Sequence, residues 1–181
     1  MQKNEEKILE TLHREVCKQL ISMKIHEPVY AVILTYSTEN GEDLCPWVAV
    51  GTAREREFYE KNVPDELYLA LWDSEGLEHY DPLEELIEDP NYLYLCESWQ
   101  QEAQTTGLLK EKAAALMQRL CFALQKEDWS KIFPTTEDFV VVACTPEGDW
   151  LAENLSILLP KEQYQAFVEK GYVLPGCGEA E

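Results

Sequence analysis

The chain has 181 residues, with 35 Asp and Glu against 15 Lys and Arg, and a formal net charge of −20 at pH 7. An apolar fraction of 45%, with five Trp, nine Tyr and five Phe, is enough for a packed core, so the charge does not indicate disorder. Nucleic acid and anionic membrane are themselves negative, so this charge disfavours both as partners and favours basic ones.

Cysteine usage and the first residues predict the compartment. The six cysteines are never closer than 23 residues apart, so no CxxC pair is present to bind a metal or exchange disulfides. The N-terminal residues lack the apolar stretch of a signal peptide, and no apolar run approaches the roughly 20 residues that span a bilayer. We expect a cytoplasmic protein with reduced thiols and without a cofactor or bound metal.

The first third of the chain predicts a helix followed by a hairpin. Apolar residues recur every three or four positions over residues 5–24, the pattern of an amphipathic helix. The β-branched run VYAVILTY at residues 29–36 predicts a central strand. Asn40-Gly41 predicts a hairpin turn to a return strand at residues 46–52.

Two helix starts are expected in the middle of the chain. Thr52 and Glu55, three residues apart, form the sequence pattern of a capping box that begins a short charged helix. Asp81 followed by Pro82 predicts the N-cap and the first position of another short helix, over residues 82–88. Residues 92–99 fit a helix or a strand.

The last third predicts a long helix, two strands and a final helix. Residues 108–126 are rich in Ala and Leu, which favour helix. The run FVVVAC at residues 139–144 predicts a buried strand, and residues 151–159 are expected to pair back to it. A helix follows over residues 161–170, and residues 172–181 are expected to form a flexible tail.

Strands arranged as hairpins between helices indicate the α+β class. We therefore expect a single domain over residues 1–181, with a mainly antiparallel sheet and the two long helices, about residues 5–24 and 108–126, packed on it.

The charges are segregated along the chain. Residues 62–109 contain twelve Asp or Glu and no Lys or Arg, and residues 132–160 contain five acids and no base. Every base falls on or beside a predicted helix. If the helices pack on one side of the sheet, the acids should gather on the opposite side and edge, around residues 65–102.

Aromatic residues within this base-free segment predict a partner-binding face. Tyr and Trp anchor protein interfaces, while carboxylates steer a basic partner toward them. Some of these rings must lie in the core, and for Trp72 the core is the favoured alternative. The predicted binding residues are Trp72, Asp73, Glu75, Glu78, Tyr80, Glu84, Glu85, Glu88, Asp89 and Tyr92.

The sequence gives little indication of catalysis. It lacks a GxSxG elbow, a GxxxxGK[ST] loop and a GxGxxG loop. His13, His26 and His79 have no His at metal-ligand spacing. Neither catalytic nor metal-binding residues are predicted, although a triad assembled through space around one of these histidines stays open.

Several motifs follow in one order along nearly the whole chain. They are YAVILTY, Leu44-Cys45-Pro46, the run of residues 50–55, Trp72, Asp149, Leu159-Pro160, Tyr164 and Phe167. This order resembles the bacterial domain-of-unknown-function 4303 family. The resemblance implies a bacterial protein with an α+β fold, related to small accessory proteins, some of which look like immunity proteins that neutralise toxins by binding.

The leading hypothesis is a non-catalytic, acidic binding protein of the bacterial cytoplasm, of immunity type, that engages a basic protein such as a toxin. One alternative is a small hydrolase or transferase built around a histidine. The other is a housekeeping domain whose charge serves no particular partner. Oligomeric state is open.

Overall fold

A computed structural model describes residues 2–37, 44–83, 86, 88–148 and 150–174. Seven α-helices and four strands have their bounds within these residues, in an α+β arrangement. The helices are α1 (Gln2–Ser22), α2 (Ala53–Asn62), α3 (Leu67–Ala70), α4 (Pro90–Gln104), α5 (Leu109–Leu124), α6 (Leu151–Leu158) and α7 (Lys161–Glu169). The strands are β1 (Val29–Thr35), β2 (Trp47–Thr52), β3 (His79–Pro82) and β4 (Thr135–Cys144).

The strands form one mixed sheet in the order β3-β2-β1-β4. The pairs β1–β2 and β2–β3 are antiparallel, which confirms the expected mainly antiparallel sheet. The pair β1–β4 is parallel, in register from Ala31 opposite Val140 to Thr35 opposite Cys144. A parallel neighbour needs a long crossover connection, and here α5 is part of the chain that supplies it.

Helices cover both faces of the sheet. The two predicted long helices, α1 and α5, pack with α4 against one face, and α1 buries the stripe expected of it. The other face packs against α3, α6 and α7. Every residue of β1 is buried, because its apolar side chains point to both faces and each face must be covered. The expectation that one face would be left for the acids is therefore wrong.

The capping box at the start of α2 is confirmed. The Thr52 hydroxyl accepts a hydrogen bond from the Glu55 amide at 3.3 Å, and the Thr52 amide donates to the Glu55 carboxylate at 2.9 Å. The preceding Gly51 lies against the ring of Tyr30. A Cβ at Gly51 would come within 2.4 Å of the Tyr30 Cζ, so β2 can cross this ring only with glycine at that position.

Three predictions are wrong in whole or in part. The helix predicted over residues 82–88 is wrong at its start, because Asp81 and Pro82 end the edge strand β3, where proline costs no ladder hydrogen bond, while Leu86 is helical. Residues 151–158 form α6, because the apolar residues recur at helical spacing and bury Leu155 on the sheet. The predicted tail begins too early, since Tyr172 and Val173 are buried on the face of the sheet that α3, α6 and α7 cover. Residues 175–181 and the Asn40-Gly41 turn lie outside the described residues.

Candidate partner-binding surface

Eight of the ten residues predicted to bind a partner lie in the described part of the chain; Glu84 and Glu85 do not. The exposed acids among the eight are Asp73, Glu75, Glu78 and Glu88. Asp89 is half-exposed and caps α4, because its carboxylate accepts a hydrogen bond from the Asn91 amide at 2.9 Å. Glu88 and Asp89 directly precede α4, which packs on the opposite face of the sheet from α3.

Trp72 and Tyr92 are core residues, so neither presents an exposed ring to a partner, and for Trp72 the favoured core alternative is confirmed. Trp72 is 6% exposed and its Nε1–H donates to the Tyr172 carbonyl at 2.7 Å. Tyr92 is 3% exposed and its hydroxyl donates to the Leu44 carbonyl at 2.8 Å. Both rings fill apolar space, and a backbone carbonyl satisfies the polar end of each.

Tyr80 does lie beside predicted acids, together with a tryptophan that sequence reasoning missed. Its ring stacks on Trp47 with centroids 4.8 Å apart, and Trp47 is 41% exposed. Burial raises the pKa of Tyr80, and the negative charges of Glu75 and Asp73 raise it further. We call Trp47, Asp73, Glu75 and Tyr80 the edge cluster, since Tyr80 lies on the edge strand β3 and Trp47 on the strand beside it.

A buried hydrogen bond positions the acids of the edge cluster. The Thr35 hydroxyl at the end of β1 donates to the Ser74 hydroxyl at 2.8 Å. Ser74 begins a 3-10 turn, Ser74–Gly76, that carries Glu75 and follows directly on Asp73. The end of β1 therefore holds the turn that carries Glu75 and follows Asp73.

A groove of about 420 Å³ adjoins the edge cluster and shares Asp73 with it. Its apolar lining includes Leu69 and Leu174, which are 55% and 54% exposed. The charged side chains that line it are Asp73 and Glu147, and no Lys or Arg is among the described residues around it. The full lining is Tyr68, Leu69, Trp72, Asp73, Pro146, Glu147, Gly148, Leu151, Ala152, Val173 and Leu174.

The backbone is strained where β4 leads into the groove wall. Trp150, the N-cap residue of α6, has φ of 69°, a left-handed conformation that bulky side chains rarely adopt. The buried Asn154 holds α6 in place, since its side-chain amide donates to the Ala143 carbonyl at 2.7 Å. The Gln118 amide donates to Asn154 at 3.2 Å and ties α6 to α5.

Most carboxylates of the base-free segment have no base beside them. Arg54 pairs with Glu78, and its hydrogen bonds lower the pKa of that carboxyl. Seven further exposed acids of the segment make no ion pair with any base in the described part of the chain. They are Asp65, Glu66, Asp73, Glu75, Asp81, Glu88 and Glu97.

A second group of charged and aromatic residues, the Arg56 cluster, was not predicted. It consists of Tyr30, Arg56, Asp138, Lys170 and Tyr172. The Arg56 guanidinium donates to both oxygens of Asp138 at 3.0 and 2.9 Å, and its Cζ lies 5.2 Å from the Tyr30 ring centroid and 5.7 Å from that of Tyr172. The cluster joins α2, β4 and the segment after α7, and its members are separated by up to 142 positions in sequence.

The environment of Asp138 favours its charged form. Burial alone would raise its pKa, but hydrogen bonds from Thr136 and Arg56, and the nearby charge of Lys170, outweigh burial and lower it. With only 15% of the Arg56 side chain and 20% of the Asp138 side chain exposed, the pair is shielded from solvent. These contacts suit a structural clamp between distant segments.

One histidine lies near both a carboxylate and a thiol. His13 Nε2 is 3.1 Å from a Glu127 carboxylate oxygen, and Cys17 is one turn further along α1. Burial, together with the Glu127 charge, raises the pKa of Cys17 to about 11, which opposes formation of a thiolate nucleophile. Nothing in this arrangement favours the hydrolase alternative over binding.

In the described part of the chain, no three His, Cys, Asp or Glu side chains converge on a point where a metal ion could be held. Likewise, no helix there combines the length and apolar character needed to cross a membrane.

Comparison of the chain with family models, curated proteins and solved structures finds no match. The resemblance to the domain-of-unknown-function 4303 family therefore stays a prediction.

Proposed function

We propose that this protein is a non-catalytic acidic binding protein that engages a basic protein partner through the edge cluster and the carboxylates around it. The observation that carries the proposal is the exposure of Asp73 and Glu75 in the edge cluster, which have no described base as partner, within a segment that has five further exposed acids of this kind. Carboxylates that are not engaged within the fold are available to steer and pair with a cationic surface.

The edge cluster supports this proposal in a second way. Trp47 presents an exposed aromatic ring stacked on Tyr80, which lies near the Glu75 and Asp73 carboxylates, and aromatic side chains contribute strongly to interface affinity. The role of an immunity protein that neutralises a basic toxin in the bacterial cytoplasm fits this chemistry, and the resemblance described above suggests the same role.

Charge reversal at the edge cluster tests the proposal. The probe is a small basic protein, with a neutral protein of similar size as its reference, and affinity is measured by calorimetry at low and at physiological salt. We expect Asp73→Lys with Glu75→Lys to weaken binding by about tenfold or more, roughly 1.4 kcal/mol. Wild-type affinity should fall as salt rises, because exposed charges are screened over about 8 Å at 0.15 M.

A matched variant separates the surface from the total charge. Glu10→Lys with Glu57→Lys changes the net charge equally at two exposed helical positions outside the base-free segment. We expect this variant to retain affinity within about threefold, or roughly 0.7 kcal/mol. Equal loss in both variants would show that only net charge matters, and salt-independent binding would count against the proposal altogether.

A further inference from the structure

The groove beside the edge cluster combines an apolar floor with an acidic rim. Leu69 and Leu174 are more than half exposed although they lie against the buried Trp72. Asp73 and Glu147 are the charged groups at its rim, and the described lining contains no base. A groove of about 420 Å³ is within the roughly 300–1,000 Å³ of typical ligand sites.

We infer that this groove receives an apolar side chain of the basic partner, from a segment in which that side chain is flanked by lysine or arginine. The inference rests on the proposed function and adds the recognition element to it. The apolar side chain would cover Leu69 and Leu174, and the flanking cations would meet Asp73 and Glu147. An acidic occupant would place like charges together at the rim, which disfavours a second copy of this chain with its charge of −20.

The walls of the groove are anchored in ways that suit a preformed site. Trp72, at its floor, donates to the Tyr172 carbonyl and meets the Tyr30 ring edge-on at a centroid distance of 6.2 Å. Tyr30 and Tyr172 belong to the Arg56 cluster, so the ion pair between Arg56 and Asp138 stabilises the two residues that contact Trp72. The loop on the opposite wall includes the left-handed Trp150 backbone. A preformed groove loses little conformational freedom on binding.

Two synthetic peptides test the inference on the full-length protein. Both carry four lysines; one has a central phenylalanine and the other a central serine. Binding is followed by NMR titration of isotope-labelled protein, in which the shifts of the backbone amide signals are measured. We expect the phenylalanine peptide to bind about tenfold more tightly, 1.4 kcal/mol, and to perturb the amides of Leu69, Gly148 and Leu174 beyond the shifts caused by the serine peptide.

Substitutions at exposed positions complete the test. Leu69→Ser should bring the affinity ratio of the two peptides close to one. Ile21→Ser is the matched control, since Ile21 is 58% exposed on α1 and does not line the groove; it should leave the ratio unchanged. A ratio that persists in Leu69→Ser, or shifts confined to other surfaces, would overturn the inference.

The outcomes separate this inference from the proposed function. If both peptides bind wild-type protein equally and salt weakens both, charge recognition stands and the groove assignment is wrong. If neither binds, the proposed function fails as well. A groove already filled by a second copy would also give equal affinities, and sedimentation would show that copy by its mass.

Discussion

The Arg56 cluster and the edge cluster lie on the same side of the sheet and use the same residue types in opposite ways. Both combine carboxylates with aromatic rings. In the Arg56 cluster, the Asp138 carboxylate is shielded from solvent and accepts hydrogen bonds from Arg56 on both of its oxygens. In the edge cluster Asp73 and Glu75 are exposed and have no described base as partner. The difference separates acids that stabilise the fold from acids that are available to another molecule.

Trp72 connects the two clusters. Its ring contacts Tyr30 and its indole nitrogen donates to Tyr172, while the next residue in the chain is Asp73. Substitutions in the Arg56 cluster should therefore also perturb the binding surface, whereas substitutions of Asp73 and Glu75 should leave the fold intact. The following predictions test this asymmetry.

Arg56→Ala should have the largest effect on stability. It leaves Asp138 shielded without its bidentate partner and removes a cation from the faces of Tyr30 and Tyr172. Breaking a buried pair costs about 3–5 kcal/mol, and partial exposure places the expected loss at about 3 kcal/mol. Urea unfolding should show a lower midpoint with an unchanged slope. Arg54→Ala, on the same helix but 61% exposed, should leave the midpoint nearly unchanged.

Gly51→Ala should destabilise the fold by about 2 kcal/mol through overpacking. The new Cβ would lie 2.4 Å from the Tyr30 Cζ, and the Tyr30 hydroxyl is held by the Leu71 carbonyl at 2.7 Å. Thermal unfolding measures the loss. Combining Gly51→Ala with Tyr30→Leu should cost less than the sum of the two single changes; strict additivity would mean that the ring is not the obstacle.

Asp138 should make stability depend on pH in the acidic range. Its folded pKa is lowered, so its contribution is complete above the unfolded value of roughly 3.9 and is lost as pH falls through the folded value. We expect the difference in unfolding free energy between wild type and Asp138→Asn to shrink as the pH falls from ~5 to ~2. A difference that stays constant would show that Asp138 acts through packing alone.

Asp73→Asn with Glu75→Gln should have the smallest effect on stability. Neither acid pairs with a described base, so their removal relieves like-charge repulsion and leaves the unfolding free energy within about 0.5 kcal/mol of wild type, or slightly above it. Chemical denaturation measures this change. A loss comparable to that of Arg56→Ala would remove the distinction between the two clusters.

Local signals predicted much of the fold. The stripe on α1, the two-sided apolar run of β1 and the Thr52–Glu55 capping box each depend on residues close in sequence. The parallel partner of β1 was not predicted, because strand pairing between residues about a hundred positions apart leaves no local pattern. The segment 151–158 misled the prediction because a short apolar run fits either a strand or a helix.

The candidate site was predicted only in part. The base-free segment is visible in the sequence, and the structure brings its residues Asp73, Glu75 and Tyr80 close together. The burial of Trp72 and Tyr92 has no local signal, because the carbonyls that accept hydrogen bonds from their side chains belong to Tyr172 and Leu44, which lie far away in the sequence. The groove is assembled from three segments that lie far apart in the chain, so its shape has no counterpart in composition.

The parallel pairing of β1 with β4 has a consequence for synthesis of the chain. β1 emerges early from the ribosome, but its second neighbour in the sheet lies more than a hundred residues downstream. Until β4 arrives, one edge of the most apolar strand has no native partner, and open apolar edges invite pairing with other chains. Completion of the sheet is therefore a late, non-local event, and nascent chains that stall before β4 should be substrates for chaperones.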